Sequence, residues 1–553
     1  MIQSPIKNQS AIFNLKSAIL LALAAVLASA VYSLVPARAE RVSVPAEWRD
    51  LASRTVAGAY HVHSNRSDGS GDTTAIAAAA ARAGLRFVIF TDHGDGTRSP
   101  DAPAYIGGVL CIDAVEISTT DGHYVALDMP RAPYPLGGFA DAVVDDVARL
   151  GGFGIAAHPD SPKAALRWTS DALPVDGIEW MNGDSEWRDE SRLTLARAAV
   201  AYFVRPSEAL AQLLDRPATL ARWDRWSSSR PIVALAGADA HGGIGQRAEE
   251  SGVAAGRFRL SVPSYEASFG TFSNRVVLDR PLTGDAGLDA RHLLDAIRAG
   301  RVFTVVDAIA TPGLLDLRRA GTSVDARVLA PPDAQLVMFH AGHEVARTSG
   351  PELQWQSGGE RGPYRVEVHL PRDPGVPPVP WMVSNEVFTS PVAEPTKASR
   401  FALPWSGALA PPLPWRVEKE PSSDATLRSG PRGLVVEYRL GADRTRSPYV
   451  AVETDVRDGR VTAIEAALAS TRPMRISIQV RTADSRRWGQ SVYLDPSDRL
   501  YRIPLAAMRS MDAGSAAPAA SSLTAVLLVV DLTNAVPGSA GEFTVRSLTF
   551  PAA

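Results

Sequence analysis

A single cysteine, Cys111, stands in 553 residues. No internal disulfide can form, so the fold has to be held by core packing or by bound metal. Its apolar setting, Val109-Leu110-Cys111-Ile112, reads as a buried small hydrophobe rather than a nucleophile. An excess of basic charge is missing too. Lys and Arg number 57 against 60 Asp and Glu, a formal net charge of −3, which excludes the basic footprint of a nucleic-acid-binding surface. Long apolar runs are confined to the N-terminus, and no stretch after Leu34 reads as apolar enough to cross a membrane. No internal repeat is found.

What is there begins with Met1 to Lys16, charged only at Lys7 and Lys16, then the apolar run Ser17 to Leu34 and the small-x-small triplet Ala37-Arg38-Ala39. This order describes a secretory signal peptide over residues 1–39, cut before Glu40, with an uncleaved anchor as the alternative. The expected location is periplasmic or secreted. Removing Lys7, Lys16 and Arg38 with the segment moves the formal charge to about −6 and leaves about 514 residues, enough for two to four domains.

Residues 45–311 alternate short apolar runs with helical segments, the rhythm of an α/β parallel sheet. Asp72 or Thr73 is expected to cap an Ala-rich helix ending near Gly84, followed by the strand Phe87-Val88-Ile89-Phe90. Chemistry-bearing residues recur where strands should end. His61 and His63 stand two apart, which on a regular strand puts both rings on one face, and Asp68 follows in a Ser-Asp-Gly turn. His93 follows Phe90, Glu116 ends the run from Val109, His158 follows Ala157, Glu179 follows Ile178, and Asp239-Ala240-His241 ends the run from Ile232. In alternating strand–helix barrels the carboxyl ends of the strands converge on one mouth, so five of the ten histidines are placed to meet there.

In this set (His61-Val62-His63 with Asp68, Thr91-Asp92-His93-Gly94, Glu116, Ala157-His158-Pro159, and Ala238-Asp239-Ala240-His241) the chain resembles the polymerase-and-histidinol-phosphatase (PHP) metallohydrolases, in particular exported members similar to carbaryl-hydrolase-like proteins. The resemblance covers about half the chain. It implies a distorted seven-stranded β/α (TIM-like) barrel holding two or three divalent ions. His61, His63, Glu116 and Asp239 would form one site, Glu116 would bridge to a second with His158, and Asp68, His93 and His241 would hold a third. Many members carry a further His or Cys between the His158 and Asp239 motifs. This chain has neither there, and Glu179, Asp184 and Glu186 stand in that interval as ligand or support. Imidazole with carboxylate suits Zn, Mn or Fe. Asp239, by analogy with the related amidohydrolases, would take the proton from the attacking water and pass it to the leaving group.

Around this set, His123 is either an orienting partner of Glu116 or a surface His in a turn. Arg98, Lys163, Arg167 and Arg188 stand near the mouth in sequence as phosphate grips or surface charges, and Trp180 and Trp187 as pocket lining or core. Beyond Thr311 the pattern turns all-β. Residues 312–392 read as a small immunoglobulin-like sandwich carrying His340, His343 and His369 on strand edges or loops, with no acidic cluster beside them. A Pro-rich linker, 393–414, leads to a jelly-roll-like sandwich over 415–553, in which Arg475 to Arg481 alternates one buried and one wet face. The function expected is an exported metal-dependent hydrolase of a small molecule, acting on phosphoesters. The alternatives are hydrolysis of a carboxylic ester, carbamate or amide, or a non-catalytic glycan-binding protein with a glycan contact through the last sandwich. That sandwich is expected to be dispensable for turnover of small substrates.

Overall fold

The computed structural model of the chain describes residues 20–21, 32, 34–243, 262–358, 362–389, 401–409, 413–456, 460–511 and 517–552. The segment read as a signal peptide lies almost wholly outside the described residues, and so does much of the Pro-rich linker. Among the described residues no helix is long and apolar enough to cross a membrane.

The first half is built from β1 (Thr55–Val62), β2 (Phe87–Phe90), β3 (Val109–Asp113), β4 (Val115–Thr119), β5 (Gly122–Leu127), β6 (Phe153–Ala156), β7 (Gly177–Asn182) and β8 (Val233–Ala240). β1 is apolar on both faces and buried from Val56 to Val62, as a strand covered on both sides must be. It runs parallel to β2 on one side and to β8 on the other, and β8 is parallel to β7, and β7 to β6. The hairpin strand β5 is antiparallel to both β4 and β6. Beyond Phe90 the chain bridges His93 to Glu116 of β4, so the pairing returns on itself. A regular TIM-like alternation is not what these pairings show: the sheet is mixed, helices are few, and β3 and β4 are one run broken at Ala114.

The helices cover this sheet. α1 (Thr73–Arg82) starts where the Asp72 carboxylate accepts from Ala75 N at 2.8 Å, and it buries Ile76, Ala77, Ala79 and Ala80 beside Val88, Val109 and Cys111. Burial pushes the Cys111 thiol up to about 11, which fits the buried-hydrophobe reading. α2 (Ala140–Arg149) packs Val143, Val144 and Val147 inward. α3 (Ala286–Arg298) buries Leu293, Leu294 and Ile297 beside Phe87 and Leu110.

The sheet does not stop at residue 311. β9 (Ser273–Val277) pairs antiparallel with β1, and β10 (Val302–Val305) with β9. β14 (Met382–Ser384) then pairs with β10, and β13 (Pro363–His369), β11 (Gln335–His340) and β12 (His343–Ser349) extend the same sheet. A second sheet of three strands, Leu314–Ala320, Ser323–Leu329 and Glu352–Gln356, completes this region. One apolar core runs through from Trp168, Ile178 and Phe303 to Leu336, Val366 and Trp381.

The C-terminal part is two six-stranded sheets closing on Ile464, Ile476, Leu528 and Phe543. Along Met474–Thr482 the residues Ile476, Ile478 and Val480 point into that core as the alternation requires. The face expected to be wet is instead covered at Arg475. Its guanidinium is buried and reaches Asp146 (2.6 Å) and Asp145 (2.5 Å) of α2, and nearby Gln490 donates to Asp141 at 2.7 Å.

Candidate metal centre

Each donor side chain comes from a strand end or the turn after it. His61 is the penultimate residue of β1 and His63 follows its end; Asp239 is the penultimate residue of β8 and His241 follows its end. Glu116 is on β4, His158 lies two residues past β6, His93 three past β2, and Asp68 in the turn after β1. Three of these positions carry left-handed backbone: φ is 63° at His61, 49° at His158 and 44° at Asp239. Such a conformation costs a non-glycine residue about 1–3 kcal/mol and persists only where the surroundings impose it. The register also slips beside them, between Ala59 and Val62 of β1 against β2 and between Gly237 and Ala240 of β8 against β1. The bulges re-aim side chains. Simple alternation is therefore not what unites His61 and His63, although their ring centroids do come within 5.1 Å.

The donor atoms meet in one cluster. His61 Nε2 lies 3.3 Å from Glu116 Oε2 and 3.6 Å from Asp239 Oδ1; His63 Nε2 lies 3.3 Å from each of the same two oxygens. His158 Nε2 is 2.7 Å from Glu116 Oε1, and its Nδ1 is 3.2 Å from Asp239 Oδ2. On the open side His93 Nδ1 stands 3.1 Å from Glu116 Oε2, while Asp68 is 3.4 Å from His63, 3.5 Å from His93 and 3.2 Å from His241. Donors held about 2.0–2.2 Å from a shared cation stand roughly 3.0–3.5 Å from each other, the spacing found here.

The residues fit divalent metal ions on a second count. Among the buried side-chain atoms without a hydrogen-bond partner are His61 Nε2, Glu116 Oε2, His158 Nδ1 and Asp239 Oδ1, each 3.2–3.6 Å from another donor of the cluster. Polar atoms without hydrogen bonds are costly in a folded interior, and four in one cluster call for a ligand. Five overlapping triads of donors with atoms within 4.8 Å of one another can be drawn, among them His61, His158 and Asp239, and His63, Asp68 and His93.

Electrostatics follows from burial among opposite charges. Burial alone would raise Glu116 and Asp239, but His61 and His158 hold both well below the usual carboxylate range. Burial lowers His158, and Asp239 and Glu116 more than offset this, leaving it raised to about 10. His241 rises to about 9, burial being outweighed by the Asp68 carboxylate. His63 goes the other way, lowered by burial and by His241 beside it. Without metal, protons on the imidazoles balance the carboxylates, and cations and protons compete for the same nitrogens.

A surrounding set orients the donors. Glu179 Oε1 lies 2.5 Å from His61 Nδ1, leaving His61 Nε2 to face the cluster, and its other oxygen accepts from His158 N and Asn182 Nδ2. Gly237 makes room for it, since a Cβ there would lie 2.6 Å from Glu179 Oε1. His123 is buried on β5 with Nδ1 2.8 Å from Glu116 Oε1, the orienting position rather than the surface one. Sequence reasoning missed two supports. Asp92 accepts from Ser64 N, Ser64 Oγ and Ser67 Oγ, and Tyr265 O–H donates to His63 O at 2.8 Å. Asp92 adjoins a motif and was findable; Tyr265, 202 residues from His63, left no local signal.

Other candidates lie outside the cluster. Arg188 pairs with Asp184 at 2.5 and 2.8 Å and stacks over Trp187, so these three satisfy one another, although the Asp184 charge still helps raise His241. Glu186 is buried away from the imidazoles, accepts from Asp215 N, and is raised well above its usual range by burial. Trp180 is core, donating to Thr304.

No family model and no curated protein matches the chain. Among solved structures it is similar to a two-domain protein from Bacteroides vulgatus containing a predicted PHP-like metal-dependent phosphoesterase, at 14% identity, 64% of this chain, 99% of that chain and a TM-score of 0.27. It is also similar to the family 11 carbohydrate-binding module of a cellulosomal cellulase of Clostridium thermocellum, at 17% identity, 26% of this chain, 90% of that chain and a TM-score of 0.22. At such scores neither likeness bears on what this chain does. The weight falls on its own donor atoms.

Proposed function

We propose that the protein is an exported hydrolase that works with two or three divalent ions (Zn, Mn or Fe) held by His61, His63, Asp68, His93, Glu116, His158, Asp239 and His241. The observation that carries this reading is a buried cluster of donor atoms from His61, Glu116, His158 and Asp239 that form overlapping triads at ligand spacing and have no hydrogen-bond partners. Bound divalent ions supply Lewis acidity, which acidifies water and polarises the scissile group. The chain's own part is positional. Glu179 fixes the His61 ring, His123 fixes one oxygen of Glu116, and Asp239, with Oδ2 beside His158, receives the proton of the attacking water and returns it to the leaving oxygen.

A phosphoester is the preferred substrate, because divalent ions held by this imidazole and carboxylate set would neutralise phosphoryl oxygens, with Arg66 and Arg98 adding positive charge only at the border of the adjoining cavity. A carboxylic ester or carbamate is the second reading, favoured by the pairing of those arginines with Asp101 and Asp113. Export rests on the sequence of residues 1–39, and a glycan contact by the C-terminal sandwich would use the sheet that carries the exposed Arg428 and Glu437. The test is elemental analysis of purified protein followed by a screen of aryl phosphates against aryl esters and carbamates. Stoichiometric metal with chelator-sensitive phosphatase turnover is expected. Turnover of esters alone would select the second reading, and full activity in metal-free protein would end both.

A further inference from the structure

A cavity of about 340 Å³ opens beside His93. The cluster is open on its outer side, where His93 is 36% and Asp68 42% exposed, against 0% for His61 and 4% for His158. Of that open side, the His93 end leads into this space, which can take the remaining bulk of a substrate bound at the donors.

The lining is apolar in its walls and balanced in its charge. Ala114, Val115, Met129 and Pro130 supply the walls. Arg66 and Arg98 stand among them, but Arg66 is paired with Asp101 and Arg98 Nη2 lies 2.5 Å from Asp113. Asp95 is occupied by Thr97 N and Oγ1, and Asp92 by Ser64 and Ser67. The two arginine pairs are solvent-exposed and weak, so it is the apolar walls and the size of the space, more than the arginines, that set what fits. The wall is also fixed in place. Gly96 sits at φ 75°, where a Cβ would come within 2.9 Å of Met129 Cε, and the loop is tied down by Ala132 N to Gly96 O and Leu136 N to Asp95 O, both 2.8 Å. An apolar cavity of about 150 Å³ holds one benzene, so this one has room for one or two rings.

We infer that the cavity holds the organic part of the substrate and selects esters of compact, uncharged, largely apolar alcohols or phenols over nucleotides and other multiply charged compounds. The inference rests on the hydrolytic reading of the adjoining donors.

The test compares 4-nitrophenyl phosphate, 4-methylumbelliferyl phosphate and ADP on metal-loaded wild type, Met129→Trp, which fills the cavity, and Met129→Ala, which enlarges it. Equilibrium binding of the product 4-methylumbelliferone, read by fluorescence, is measured on the same proteins. Wild type is expected to favour both aryl esters over ADP by about tenfold or more in kcat/KM. Met129→Trp should lower kcat/KM for the two-ring ester about tenfold more than for the one-ring ester and weaken umbelliferone binding, with metal content unchanged. A preference for ADP, or an unaltered ratio and unaltered binding in both metal-replete variants, would overturn the inference. Because umbelliferone binding needs no turnover, product binding lost in Met129→Trp beside an inactive wild type would refute the hydrolytic reading alone.

Discussion

Charge is buried in two parts of this protein under opposite rules. In the strand-end cluster, Glu116 and Asp239 face imidazoles, whose charge depends on protons, and four donor atoms have no hydrogen-bond partner. Under β13 the carboxylates face guanidinium groups instead. Arg365, 2% exposed, sets Nε and Nη2 on the two oxygens of Asp224 at 2.8 and 2.9 Å and Nη1 on Glu367, which also receives Arg216. The Arg365 guanidinium lies over the Phe339 ring at 4.4 Å. No residue of this second group has left-handed backbone, whereas three of the first do. Permanent charges matched in a fork cement two parts of the fold; conditional charges, strained and left partly unpaired, make a place for something else to bind. Glu386, buried nearby and accepting from the Ser227 hydroxyl at 2.6 Å, is raised well above the carboxylate range by burial, only partly offset by Ser227 and Arg365.

The comparison breaks most sharply on activity. Asp239→Ala should lower kcat/KM by about a thousandfold or more and reduce bound metal by elemental analysis, because on the proposed reading it removes a donor and the proton carrier together. Arg365→Met should leave metal content and KM in place yet cost about 3–5 kcal/mol in urea unfolding, since Asp224 and Glu367 lose the fork that neutralises them. If the two variants gave the same phenotype, the division between site and cement would be wrong. Arg475→Met, on the sandwich face against Asp145 and Asp146, belongs with the cement but should cost less, because Arg149 also pairs with both carboxylates.

That last contact argues against the expectation that the C-terminal sandwich is dispensable for turnover. Removing it would strip buried Asp146 of its Arg475 partner. Arg509 also holds both oxygens of Asp121 at 3.0 Å, in the turn between β4 and β5 that sets His123 against Glu116. Truncation should therefore lower turnover.

Chelation sharpens the contrast at smaller amplitude. A ligand present at a hundred times its dissociation constant adds about 3 kcal/mol to stability, so stripping metal should lower the melting temperature of wild type and Arg365→Met alike and leave Asp239→Ala much less affected. Equal shifts in all three would mean that metal does not bind at this cluster.

How far these regions can be read from sequence differs for a physical reason. His61, His63, His93, His158 and Asp239 were legible because strands that converge at their carboxyl ends repeat a local signal, an apolar run followed by a donor. The left-handed φ at three of them was not, because nothing in a His or Asp announces it. Element existence held: α1 lies between Asp72 and Gly84, and Phe87–Phe90 is a strand. Pairing did not follow, since the partnership of Val302–Val305 with Met382–Ser384 joins segments some 80 residues apart that carry only generic alternation. The second charge cluster escaped for the same reason. His369 was read as having no acidic company, yet it lies 3.1 Å from Glu367 and 3.4 Å from Asp373, and the arginines that share Glu367 come in part from residue 216.

His369 gives the subtlest separation of the two regions, through pH. Burial lowers its pKa, but Asp373 and Glu367 outweigh this and raise it to about 9. Its unfolded value is near 6.5. A raised folded pKa means that the native state holds the proton more tightly, so the stabilisation is complete below about 6.5 and is lost as pH rises through about 9. Arg365 and Arg216 also face Glu367, and Glu344 lies within reach of the His369 charge, so part of the carboxylate charge stays balanced when His369 deprotonates. The loss should be modest. Urea midpoints of wild type and His369→Gln, with metal saturating, should differ most near pH 6 and converge by about pH 10. A gap that widened with rising pH would mean that His369 is neutral in the native state and that Glu367 is neutralised by arginine alone.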